Sequence, residues 1–77
     1  MPAIDNFRAN LRRALDELGV SQRELARRAD MGYPYISRVL QGHTSPTVPQ
    51  CERIAEALEI QVLALFGEPE DFSLPTA

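Results

Sequence analysis

The chain has 77 residues, 44% of them hydrophobic, a formal net charge of −3 and a pI of 5.0. A chain of this size closes one small core and leaves no room within it for a separate effector-binding domain, and its composition is globular rather than disordered. The longest apolar run, Val62 to Phe66, is far too short to span a membrane, MPAIDNFRAN lacks the order of a secretory signal, and Cys51 is a lone cysteine, so a soluble protein of a reducing cytoplasm is expected.

Ile4, Phe7, Leu11, Ala14, Leu15 and Leu18 recur at helical spacing before Gly19, which predicts helix one over about residues 4–18. Ser21-Gln22-Arg23-Glu24 reads as a capping box that opens helix two, about 22–29, with Leu25, Ala26 and Ala29 on its inner face. After a break at Asp30, Met31 and Gly32, Tyr33-Pro34 opens helix three, about 33–41, which Gly42 ends. His43 to Pro46 is a loop, and Thr47-Val48-Pro49-Gln50 is a second capping box whose helix four buries Cys51, Ile54, Ala55 and Leu58. A last helix, about 61–66, carries Val62, Leu63, Leu65 and Phe66 and stops at Gly67 and Pro69. With no strand signal, the expectation is an all-α fold of five short helices over residues 1–66 and an acidic, mobile tail over 67–77.

Helices two and three are joined by only a few residues, a joint that lets one helix stack over the other and present it to a groove. In helix three, Ile36, Val39 and Leu40 share one face, while Tyr33, Pro34, Ser37, Arg38 and Gln41 share the opposite, polar one. The charge is also unevenly placed. Residues 1–66 balance, the excess being Glu68, Glu70 and Asp71, and within 20–44 four arginines (Arg23, Arg27, Arg28, Arg38) face only Glu24 and Asp30. All eight basic residues are arginine, which suits planar contacts to phosphate and guanine or reflects only the base composition of the gene.

The segments VSQRELARRADMGYPYISRVLQG and SPTVPQCERIAEALEIQVLALF together resemble the lambda-repressor-like (Cro/C1, Xre) helix-turn-helix family over roughly residues 4–66. The resemblance implies a compact DNA-binding domain in which Gln22, with Arg23 beside it, meets the DNA backbone at the start of helix two. It likewise implies that Tyr33, Pro34, Ser37 and Arg38 face bases and that Gln41, His43 and Thr44 approach the backbone. Arg38 has the geometry to donate twice to guanine, whereas Tyr33 and Pro34 suit thymine methyls or groove shape. Tyr35 stands open between a phosphate contact and simple packing. His43 is a loop residue with no visible titrating partner, and Cys51 fills a core position.

Three departures from the family pattern stand out. Gly32 replaces the usual Ser or Thr cap of helix three, and Glu59 replaces the glycine that commonly ends helix four. Leu15 and Leu40 occupy positions where many members carry a buried Arg–Glu pair. One His and one Cys assemble neither a metal site nor a catalytic constellation, so no cofactor, metal or enzymatic activity is expected. The expected partners are double-stranded operator DNA and a second copy of the chain, docked through Val62, Leu65 and Phe66 of the last helix. Two other readings stay open: an antitoxin whose tail binds a toxin, and a protein-interaction module that keeps the fold without an operator.

Overall fold

The computed structural model describes residues 2–74; Met1 and residues 75–77, the end of the expected tail, lie outside that range. Five helices follow one another, α1 (Pro2–Leu18), α2 (Gln22–Ala29), α3 (Tyr33–Gln41), α4 (Val48–Ala57) and α5 (Val62–Phe66), and a 3-10 turn follows at Pro69–Asp71. The fold is all-α, as the spacing of apolar residues predicts, with no strand among the described residues. None of these helices is long and apolar enough to cross a membrane.

The helix starts separate two kinds of cap. Thr47 and Gln50 form the complete box, with the Gln50 amide donating to Thr47 Oγ1 at 3.3 Å and the Thr47 amide to Gln50 Oε1 at 2.9 Å. At α2 only half of the expected box exists. Ser21 Oγ accepts from the Glu24 amide at 3.0 Å, but the Glu24 carboxylate turns along the helix to Arg27 and Arg28, whose charges outbid a neutral backbone amide. Helix α3 starts at Gly32 without any side-chain cap, with Pro34 in its first turn.

The helix ends share one device. In α1 to α4 a residue of left-handed backbone follows the helix, and the next amide reaches five residues back: Val20 to Leu15, Met31 to Ala26, His43 to Arg38 and Ile60 to Ala55, each at 2.9 Å. Gly19 and Gly42 take this conformation freely, at φ +67° and +84°. Asp30 and Glu59 take it at φ +56° and +57°, although both carry a side chain. Gly32, at φ −70°, is a cap residue; the sharp step between α2 and α3 is made at Asp30.

A single core gathers Phe7, Leu11, Ala14 and Leu15 of α1 with Leu25 and Ala26 of α2, Ile36, Val39 and Leu40 of α3, and Cys51, Ile54 and Ala55 of α4. Leu65 is fully buried in this same core, which corrects its expected place in a dimer interface: α5 packs its Leu65 face on α1. Phe66 is half-buried, its ring 5.0 Å from that of Phe7, and Val62 is half-buried as well. The exposed apolar side chain of α5 is Leu63, 78% accessible.

The first part of the expected mobile tail is also built into the fold. Asn10, itself buried, donates from Nδ2 to the carbonyls of Leu65 and Gly67, both at 2.9 Å. Phe72 is 5% accessible, and Arg13 lies 5.7 Å over its ring. Phe72 adds an aromatic ring to the core beneath Arg13 of α1, a fit invisible when the tail is judged by its acidic and proline content alone.

Candidate nucleic-acid interface

Helix α3 buries Ile36, Val39 and Leu40 and turns Tyr33, Pro34, Arg38 and Gln41 to solvent, with Ser37 half-buried between them. His43 is exposed and Thr44 half-buried in the loop that follows. Helix α2 packs directly on α3, and Arg23 from its first turn lies over the Tyr33 ring at 4.3 Å to the centroid. Arg23, Tyr33, Pro34, Arg38, Gln41 and His43 are therefore exposed, and Gln22, Ser37 and Thr44 half-buried, at the surface of the helix pair and its exit loop. Gln22 lies in a shallow cleft bordered by Arg12, Leu15, Val20 and Leu40.

Tyr35 separates from this set. It is half-buried, and its hydroxyl donates at 2.6 Å to Gln50 Oε1, the same oxygen that completes the cap of α4. Burial pushes its pKa up, so it stays a neutral donor. This bond to Gln50 ties α3 to the start of α4.

Electrostatics narrow the basic footprint further. Among the described residues Arg8, Arg13, Arg27 and Arg28 pair with carboxylates, of Asp5, Glu17 and, for the last two, Glu24. Hydrogen bonds from Arg27 and then Arg28 hold the Glu24 carboxyl down at about 2. Arg53 donates to the carbonyls of Ala29 and Asp30, each at 2.7 Å, and Arg12 donates to that of Leu40 at 2.6 Å. Arg23 and Arg38 remain without a carboxylate or carbonyl partner among the described residues, Arg38 on α3 itself and Arg23 on α2 against Tyr33 of α3. Arg27 and Arg28 share the single carboxylate of Glu24, which cancels one of their two charges, so Arg23 and Arg38 are the two unpaired cations of a patch to which the Arg27–Arg28 pair adds a net +1.

Sequence reasoning did not anticipate Arg8, Arg12 and Arg53. Their targets are backbone carbonyls of distant helices, which no residue type marks.

A short helix with a polar outer face, carried on a second helix through a tight joint, defines a helix-turn-helix domain. A family model described as helix-turn-helix matches residues 11–65, and the chain belongs to this DNA-binding family, of the Cro/C1 (Xre-like) type. Comparison with curated proteins and with solved structures gave no match.

Proposed function

We propose that this protein is a sequence-specific, operator-binding transcriptional regulator, a repressor of the Cro or controller kind, that works in the cytoplasm as a homodimer and reads the major groove with α3. The observation that carries the reading is the outer face of α3, where Arg38 stands exposed and free of ion pairing among the described residues beside Tyr33, Pro34 and Gln41. An unpaired arginine on such a face suits bidentate donation to guanine. A single small domain touches too few base pairs for tight specific binding, and Leu63, with half-buried Val62 and Phe66, gives α5 the apolar surface for a second copy. The antitoxin reading needs an apolar tail for a toxin, and Phe72 is already buried against this chain's own α1.

The test is a titration of Arg38→Ala against the best duplex selected from a random pool and its single-base variants. Arg38→Ala should lose about 1–3 kcal/mol on the preferred duplex and relax preference at one base pair per half-site. Equal weakening on every duplex would make Arg38 a phosphate anchor and remove α3 from base reading. Sedimentation over a concentration series tests the dimer, with Leu63→Ser expected to be monomeric.

A further inference from the structure

Helix α3 has no side-chain cap at its start, and the carbonyls of its last turn are held from outside. Arg8 Nε donates to Val39 O at 2.9 Å, and Arg12 Nη2 donates to Leu40 O at 2.6 Å. Both arginines come from α1, one turn apart on the same face, so α1 grips α3 at two successive carbonyls. These carbonyls are at the negative end of the α3 dipole, where a guanidinium is favoured.

Gly42, which ends α3, lies against the Arg8 guanidinium: a Cβ there would sit 3.5 Å from its Cζ and Nε. The Arg8 side chain is only 21% accessible and also meets Asp5, so its charge is turned inward rather than toward a polyanion. Leu15 and Leu40, both buried, line the cleft that Arg12 also borders. Apolar contact between two leucines has no directionality, whereas a guanidinium on a carbonyl fixes both distance and direction.

We propose that Arg8 and Arg12 are positioning residues for DNA recognition: they set the placement of α3 along and about its own axis, and so determine which bases Arg38 can reach, without gripping the DNA themselves. The inference rests on the reading of α3 as the recognition helix. A shift of a fraction of an ångström at the α3 terminus leaves backbone binding nearly intact and misaligns a bidentate pair, which tolerates little error.

The experiment compares Arg8→Met and Arg12→Met, with Arg8→Lys and Arg12→Lys, on the selected duplex and on a scrambled duplex at two salt concentrations. All are measured at a temperature where circular dichroism shows each variant folded. Each Met variant should lose about 10-fold on the selected duplex, less than about 2-fold on the scrambled one, and keep the wild-type salt slope. The Lys variants, which keep a donor and a charge, should recover part of the discrimination. Amide exchange at Gln41 to Thr44 should accelerate in the Met variants without DNA.

Equal weakening on both duplexes with a salt slope smaller by about 1 makes these arginines phosphate anchors and overturns the proposal. Unchanged discrimination together with unchanged exchange overturns it as well. A wild-type chain that does not distinguish the two duplexes instead overturns base reading by α3, while amide exchange still decides whether Arg8 and Arg12 hold that helix.

Discussion

Glu24 shows how one side chain redistributes the charge of a helix. Arg27, and after it Arg28, donate to its carboxylate and hold its pKa at about 2, down from 4.5. The folded value lies below the unfolded one, so the stability this group contributes is complete above about pH 4.5 and is lost as pH falls toward about 2. Melting temperatures of wild type and Glu24→Gln should therefore differ near neutral pH and converge near pH 2, with a gap that narrows in high salt because the pairs are exposed. A gap that persists at low pH would assign the difference to something other than charge.

Glu59 carries a different burden, because its backbone sits at φ +57° to close α4. Glycine takes this conformation without the clash at Cβ, so Glu59→Gly should stabilise the fold by about 1 kcal/mol in equilibrium denaturation. Asp30 has the same geometry but gains support from Arg53, which donates to its carbonyl at 2.7 Å. Asp30→Gly should accordingly gain less.

Among the elements, the seam between α1 and α3 is closed by two leucines. Leu15 and Leu40 are 7% and 2% accessible and border the cleft that also holds Arg12 and Gln22. Leu40→Glu places a carboxylate in this seam and should cost about 3 kcal/mol, at the low end for a buried charge because Arg12 is close enough to answer it. Leu15→Arg with Leu40→Glu should recover part of that loss, and Arg12→Met should deepen it beyond additivity. A denaturation cost below about 1 kcal/mol for Leu40→Glu would mean that water fills the seam.

The segment after α5 packs into the same core. Phe72 is buried and Arg13 covers its ring, so Phe72→Ala should destabilise the domain by about 3 kcal/mol. A freely moving tail would leave the unfolding curve unchanged.

For the whole molecule, arginine has two uses that compete for the same residues. Arg8, Arg12 and Arg53 hold the C-terminal carbonyls of the helix-turn-helix pair, Arg13 is balanced by Glu17, and Arg27 and Arg28 share the single carboxylate of Glu24. What remains for phosphate is small, which reconciles a net charge of −3 with a DNA-binding family. With Arg23 and Arg38 as the phosphate- and base-facing cations of each protomer, the proposed dimer should bind DNA with a log–log salt slope of about −4. A slope steeper than about −7 would mean that the paired arginines leave their carboxylates on binding.

The sequence by itself determined the helices, because their signals are local: apolar spacing in α1, the Thr47 box, the glycines that close α1 and α3, and the polar face of α3. It also marked Leu15, Leu40 and Glu59 as departures, since a resemblance exposes missing residue types position by position. Only the tertiary structure decided which apolar residues are shared with neighbours. Val62, Leu65 and Phe66 look equivalent in a short apolar helix, yet Leu65 is fully buried while Leu63 is exposed, because α5 meets α1 on one side only. Tertiary structure alone also gave Tyr35 to Gln50, Phe72 to α1, and Arg8 and Arg12 to the carbonyls of α3. Each of these partners lies at least 15 residues away, and two are backbone atoms, so no side-chain pattern encodes them. Their pairing follows from packing geometry, which brings together what local propensity cannot specify.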